Sequence, residues 1–345
     1  MNILYLIGNG FDLNLNLKTS YKDFYNFILE KNNEKDLAIV AKFKNEIKNK
    51  PTNWSDLELE LGKFTAEIDS IEDANNLHDY LIDKLSSYLK LIEDNWDIED
   101  IEKKKLINYL LSPIENRLLP VENTEINKFK DYWIKYSPWV VNIITFNYTK
   151  SIEKILEEKI SNLNLGTSNK NTPVVLRGIE HIHGYVDKRM ILGVNDVSQL
   201  INNTLHSNTE TTDRYIKSNC NSTYGLGHEN KCLEMIQSAN LILIYGMSFG
   251  DTDLKWWKSV GDRLTNGALV ILYVFDKNAN YNGNQGAQIN AHKNRVKNMF
   301  LSKTNLPQEK LNDAKTRIYV ALNTDMFKLN IIEKNEMIYV NSRSY

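Results

Sequence analysis

Residues 3–12 read Ile3-Leu4-Tyr5-Leu6-Ile7-Gly8-Asn9-Gly10-Phe11-Asp12, and the change from apolar run to glycines decides the fold class. Five consecutive apolar residues without polar alternation specify a strand covered on both faces. The two glycines then permit positive φ and, having no Cβ, let backbone amides close on a phosphate or ribose. A strand entering a Gly-x-Gly turn is a common opening of nucleotide-binding α/β domains. The passage lacks the third glycine of a dinucleotide fingerprint and the Lys-Ser/Thr of a P-loop, so alone it also fits an ordinary tight turn. Asp12 would repel a pyrophosphate there unless it caps a helix or accepts from a ribose hydroxyl.

Further along, Thr19-Ser20-x-x-Asp23 has the form of a helix N-cap ahead of Tyr21, Phe24, Tyr25, Phe27 and Ile28. To about residue 137 the apolar spacing stays helical: Leu57, Leu61, Phe64 and Ile68 after Trp54-Ser55-Asp56; then Leu77, Leu81, Leu85, Tyr88, Leu89 and Ile92; then Leu106, Tyr109, Leu110 and Ile114. Beyond residue 138 the texture changes. Residues 140–145, 174–182, 190–192, 241–245, 268–275 and 317–321 read as strands, with helical patterns near 149–158, 229–238 and 253–264. Stretches 161–173, 201–227 and 278–293, rich in Asn, Ser, Thr and Gly, read as loops or lids.

Strands alternating with helices imply a mostly parallel sheet with crossover helices. The first strand has no β partner near it in sequence and must join the later sheet. The expected fold is therefore α/β and Rossmann-like, three layers of α/β/α, with residues 1–19 and 138–345 as the core. Residues 20–137 form a helical insertion or lid.

Composition narrows the function. The 345 residues carry 42 basic and 44 acidic side chains, net −2, so no basic field points to nucleic acid, although the balance leaves it open. Lys103-Lys104-Lys105 lies beside Glu99, Asp100 and Glu102 and reads as a solvated helix face. Cys220 and Cys232 do not form a Cys-x-x-Cys pair or a disulfide framework. Two unrelated thiols are a better reading than a metal site with His228, and no metal is expected. The N-terminus lacks a basic leader, and no apolar stretch approaches the roughly 20 residues of a membrane span, so a soluble cytoplasmic protein is expected.

Four predicted strand ends concentrate polar residues, where open α/β sheets bind ligands. They are Gly8-Asn9-Gly10; Thr145-Phe146-Asn147-Tyr148-Thr149; His181-Ile182-His183-Gly184; and Tyr245-Gly246-Met247-Ser248-Phe249-Gly250-Asp251-Thr252-Asp253. Asn147 also fits a cap for the helix near Lys150, and Asp251 a cap for the segment holding Leu254, Trp256 and Trp257. His181 and His183, two apart on a strand, are expected on one side of it.

The ordered series Gly-Asn-Gly-Phe-Asp, Thr-Phe-Asn-Tyr, His-Gly and Gly-x-Ser-x-x-Asp resembles the AbiH abortive-infection family of bacterial phage-defence proteins. Thr19-Ser20-Tyr21-Lys22-Asp23-Phe24 and Trp54-Ser55-Asp56-Leu57-Glu58 resemble it too. At greater distance the series is similar to sirtuin-like NAD-binding domains. That resemblance implies NAD or a related nucleotide as ligand or substrate, with no further cofactor. It also implies Asn147 and His183 as catalytic residues, His183 being the base. Gly8, Asn9, Gly10, Phe11, Asp12, Thr145, Gly246, Ser248 and Asp251 would line the ligand. Asp276, at the end of a later strand, would either accept from the adenosine hydroxyls or serve a turn. Asn9, Asp12 and Thr149 depart from the sirtuin pattern, and the four-cysteine zinc module is absent, which argues against protein deacetylation.

Three functions follow as expectations. The first is a phage-defence effector that hydrolyses the N-glycosidic bond of NAD. The second is a non-catalytic nucleotide-binding sensor or assembly partner. The third is a nuclease or nucleotidyl-processing toxin, for which Asp12, Asp23, Glu58, Asp251 and Asp253 would be the available carboxylates. An effector also implies a phage trigger. The insertion would be a lid or homo-oligomer surface, with Trp54, Trp96 and Trp133 either anchoring it or packing in the core.

Overall fold

The computed structural model describes residues 1–30, 37–112, 118–157, 160–168, 170–225, 227–279, 281 and 284–334. The strands are β1 (Asn2–Ile7), β2 (Trp96–Ile98), β3 (Trp139–Thr145), β4 (Leu163–Thr167), β5 (Pro173–His181), β6 (Leu241–Tyr245), β7 (Leu269–Val274), β8 (Ile318–Leu322) and β9 (Ile331–Glu333). Seven of them form one sheet in the order β4-β5-β3-β1-β6-β7-β8. All neighbours pair parallel except β4, which runs antiparallel on β5. Taken in chain order, the parallel strands lie third, second, first, fourth, fifth, sixth, the doubly wound Rossmann arrangement. The α/β expectation holds, and the topological switch point falls where β1 meets β6.

The alternation of β1 explains the two layers. Ile3, Tyr5 and Ile7 enter one core with Phe24, Phe43, Trp54, Leu57, Leu61, Leu77, Leu81 and Leu85 of the helical stretch. Leu4 and Leu6 enter the other with Ile236, Trp257, Val260, Phe300 and Ala314 of the later helices. The stretch between β1 and β3 is thus an enlarged first crossover that covers one face of the sheet. Trp54 and Trp96 are buried in that core and Trp133 packs against it.

Local signals account for its helices. Ser20 Oγ accepts from Asp23 N at 3.2 Å at the head of Tyr21–Glu30, and Asp56 caps Leu57–Phe64 by accepting from Leu59 N at 3.1 Å. Ile68 lies beyond that helix in extended backbone, and Ile114 lies outside the described residues.

Several local expectations need correction. Residues 190–192 are not a strand: they belong to a loop in which Ile191 N donates to His183 O at 2.9 Å. The expected loop 161–173 holds edge strand β4, the stretch 201–227 holds helices Thr209–Tyr215 and Lys217–Thr223, and helix Gly286–Thr304 begins inside 278–293. Residues 169, 226, 280 and 282–283 of these stretches, and residue 158 of the helical pattern 149–158, lie outside the described residues. Among the described residues no helix is long and apolar enough to cross a membrane.

Candidate functional site

Register sets the site. Ile7 pairs with Thr145 and Tyr245, and Thr145 pairs with His181, so β5, β3, β1 and β6 end side by side. The segments leaving them are the four polar strand ends.

The turns after β1 and β6 are locked together. Gly8 N donates to Tyr245 O and Gly10 N to Gly246 O, both at 2.9 Å. A Cβ at Gly10 would lie 2.4 Å from Gly246 Cα, and one at Gly8 2.6 Å from Gly246 O. Gly246 itself has φ +67°, a conformation that favours glycine. The close approach these glycines permit is therefore to another stretch of backbone. Asn9 turns away and exchanges hydrogen bonds with Thr19, donating to its carbonyl at 2.9 Å and accepting from its hydroxyl at 2.7 Å. Phe11 is buried edge-on against Phe327.

Asp12, on helix Gly10–Asn14, is fully buried beside the end of β3. Its Oδ2 accepts from Thr149 Oγ1 at 2.5 Å, Thr149 accepts in turn from Ser151 Oγ at 3.2 Å, and Oδ1 has no partner. Burial pushes its carboxyl up to about 6, against the lowering effect of Thr149, Ser151 and Asn147. Asn147 is buried, its N–H donates to Thr145 Oγ1 at 3.1 Å, and its Oδ1 is unpartnered. It is not the helix cap: helix Ser151–Leu156 begins after Lys150, whose N–H donates to the Glu93 carboxylate.

The second centre gathers side chains from five segments of the chain. His183 Nε2 lies 3.2 Å from Asp253 Oδ1, and Lys217 Nζ donates to Asp253 Oδ1 at 2.9 Å and to Glu58 Oε2 at 2.8 Å. Tyr148 Oη lies 2.7 Å from Ile191 O and 3.2 Å from Glu58 Oε1. His183, Lys217 and Glu58 are 3, 6 and 7% exposed, so their charges interact with little solvent screening.

Burial, and then the Lys217 ammonium, bring the His183 imidazole down to about 4, with Asp253 opposing. Burial alone would raise Asp253; Lys217 and the His183 N–H instead hold it well below the usual carboxylate range. Burial disfavours the Lys217 charge, yet Asp253 and Glu58 raise it above the ordinary lysine range. At neutral pH His183 is therefore a neutral imidazole. The Asp253 carboxylate selects the tautomer with hydrogen on Nε2, and the buried Nδ1 lone pair has no partner. That is the geometry of an oriented general base.

The remaining predicted residues are dispersed. His181 does not share a partner with His183: its Nδ1 lies 3.2 Å from Asn147 O and its Nε2 2.6 Å from Glu153 Oε1. The strand ends at His181, so strand alternation does not set the side on which His183 lies. Thr145 is buried and supports Asn147, while Ser248 is exposed. Asp251 is not a cap; it pairs with Lys303 at 2.5 Å, and the helix starts after Asp253. Asp276 accepts from Asn278 N at 2.8 Å and lies 3.4 Å from His292 Nε2, a turn arrangement. Of the five carboxylates considered for a nuclease, Glu58 and Asp253 meet through Lys217, whereas Asp23 bonds Ser20. Among the described residues no group of three or more His, Cys, Asp or Glu is placed to hold a metal ion. Cys220 and Cys232 are buried free thiols.

Sequence reasoning missed Lys217, Tyr148 and the pairing of Asp253 with His183. Glu58 carried a signal, the Trp54–Glu58 stretch; Lys217, in a stretch read as loop, carried none.

Together these features define a doubly wound α/β protein with a histidine–aspartate dyad buried beside its switch point. The family model for bacteriophage abortive infection AbiH matches residues 4–275. The chain belongs to that family, which places it in phage abortive infection, and the matched span includes all four strand ends. No curated protein matches the chain.

Proposed function

We propose that this chain is an abortive-infection effector that binds NAD or a related nucleotide at these strand ends and hydrolyses its N-glycosidic bond. One observation carries the reading. His183 Nδ1, Asn147 Oδ1 and Asp12 Oδ1, on the segments after β5, β3 and β1, are buried polar atoms without a partner. Each such atom costs about 1–3 kcal/mol, and three on adjacent strand ends are a cost that a polar ligand would offset.

The roles follow from the atoms. The bond from ribose C1′ to the nicotinamide nitrogen breaks with its electron pair leaving on nicotinamide, and an oxocarbenium-like centre remains. Water adds at C1′, and His183 Nδ1 takes its proton. Asn147 orients that water or the carboxamide through its free carbonyl oxygen. Asp12 accepts from a ribose hydroxyl. The chemistry asks nothing of a metal, and NAD enters as substrate.

Burial of the dyad also favours a second reading, a sensor that holds a nucleotide without turning it over. Either reading calls for a phage-derived trigger, and self-association is a further proposal. The test is nicotinamide release from NAD by the purified chain, with and without phage-infected lysate. Release that is lost in His183→Ala and Asn147→Ala is the expected result. Intact NAD alongside cleaved RNA or DNA would overturn it, and a nucleotide recovered unchanged from the denatured protein would favour the sensor.

A further inference from the structure

The helical stretch delivers Glu58 to the dyad from the first turn of helix Leu57–Phe64. Oε2 accepts from Lys217, which bridges to Asp253. The surroundings of Oε1 are more informative. A phenol has a single hydrogen, and Tyr148 uses it in the 2.7 Å bond to Ile191 O, a carbonyl with no hydrogen to return. The 3.2 Å contact between Tyr148 Oη and Glu58 Oε1 is then either the long arm of a hydrogen shared between two acceptors or, as a full hydrogen bond, one in which a protonated Glu58 carboxyl donates to the phenol oxygen.

We propose that Glu58 is held as a neutral carboxylic acid and acts as a positioning residue for the His183–Asp253 dyad, fixing Lys217 and through it the carboxylate that orients the imidazole. The proposal rests on the reading of His183 as the base. It goes beyond that reading by giving the Trp54–Glu58 stretch a place in the site.

Charge balance supports it. With Glu58 neutral, the buried group holds one cation, Lys217, and one anion, Asp253. With Glu58 ionised, two buried carboxylates would share one ammonium, and Asp56 would stand nearby at the head of the same helix. The groups facing Glu58 are Tyr21 from helix Tyr21–Glu30, Asp56 from its own cap, Tyr148 after β3, Lys217 from helix Lys217–Thr223 and Asp253 after β6. Burial raises the Glu58 carboxyl to about 7; Lys217 opposes this, and Asp253 and Asp56 add to it. Between about pH 4 and 7 the carboxyl mostly keeps its proton and the imidazole lacks one, the reverse of their order in water.

The experiment uses the full chain. The infrared band of a protonated carboxyl, assigned by its loss in Glu58→Gln, is expected at pH 6. NMR of histidine-labelled protein is expected to show His183 as the Nε2–H tautomer, with Glu58→Gln folded and its His183 titration within half a pH unit of the wild type. Glu58→Ala is expected to displace the His183 resonances and lower kcat at least tenfold with KM within twofold. Glu58→Asp, which draws the carboxyl back by one methylene, is read in the same way if the alanine chain does not fold. Nicotinamide release should fall above pH 7 in the wild type and persist in Glu58→Gln.

Absence of the infrared band, or a Glu58→Gln chain that unfolds or shifts His183 by a full pH unit, would mean that Lys217 needs a carboxylate there and would overturn the proposal. So would unchanged His183 resonances in Glu58→Ala. The spectroscopic readouts need no turnover, so a chain that passes them but never releases nicotinamide refutes the glycohydrolase reading alone.

Discussion

Replacing Asp12 by asparagine tests whether the strand-end site stores free energy against the fold. Asp12 is wholly buried with one oxygen unpartnered, and its carboxyl is raised from 3.8 to about 6. At about 1.4 kcal/mol per pH unit, ionising it in the folded chain costs about 3 kcal/mol more than in the unfolded chain. Because the folded state binds the extra proton between those two values, stability falls as pH rises from about 4 to 6, and the whole cost is present above 6. The asparagine side chain cannot ionise and keeps an oxygen for the Thr149 hydroxyl. The Asp12→Asn variant should therefore match the wild type to within about 1 kcal/mol at pH 4, gain on it between pH 4 and 6, and be more stable by about 2–3 kcal/mol at pH 8. The wild-type profile alone would hide this. His183, lowered to about 4, contributes stability that is full above pH 6.5 and is lost as pH falls through 4, the opposite slope. The assay is urea unfolding of both chains across pH 4 to 8 at constant m-value. A difference that does not change with pH, or an Asp12→Asn chain less stable at pH 8 than at pH 4 relative to wild type, would sink this account of Asp12. On the proposed function the stabilised chain should also lose nicotinamide release, the trade expected where a site is built at the expense of the fold.

Gly10→Ala places a methyl 2.4 Å from Gly246 Cα, a backbone atom that cannot yield; a loss of at least about 3 kcal/mol, or failure to accumulate soluble chain, is expected in thermal unfolding. Lys217→Met leaves Glu58 and Asp253 without their shared cation and should cost about 3–5 kcal/mol at pH 8, with a smaller loss at pH 5, where Glu58 is protonated; urea unfolding at both pH values measures it. Burial pushes the Cys220 thiol up to about 11 and the Cys232 thiol to about 12, so neither should react with a thiol-specific disulfide reagent in the native chain at pH 8, and both should react on unfolding.

The sheet was legible because its strands are short unalternating apolar runs, which is what burial on both faces selects. Strand β4 escaped because Leu163-Asn164-Leu165-Gly166-Thr167 is an edge strand in an Asn- and Gly-rich stretch, where composition speaks for a loop. Residues 190–192 misled in the other direction: Met190, Ile191 and Leu192 are buried like a strand, yet they line the loop that returns over His183. The helices in 201–227 are made of weak helix formers and are held by tertiary contacts, such as Tyr215 Oη donating to Ala74 O at 2.8 Å. The same limit applies to the site. Asn147 and His183 announce themselves at strand ends, but Lys217 and Glu58 are 159 positions apart, and only the enlarged first crossover brings them together.

The two glycines of the opening turn decide where a ligand's phosphates can lie. In a nucleotide-binding α/β domain their missing Cβ atoms let a phosphate approach. Here both amides are committed to Tyr245 O and Gly246 O, and the space a Cβ would take is filled by the β6 turn. This resolves the repulsion that Asp12 poses for a phosphate at that position. A turn locked to its neighbour holds helix Gly10–Asn14 where Asp12 reaches Thr149, and a carboxyl there needs a donor, such as a ribose hydroxyl, rather than an anion. On the proposed function the ribose of NAD would lie over Asp12, Asn147 and His183, and its diphosphate would be met elsewhere, Ser248 being exposed among the residues of the four strand ends. A nucleoside form of the substrate without phosphates should then retain most of the kcat and lose chiefly in KM, whereas equal loss in both would place the phosphates back at the glycine turn.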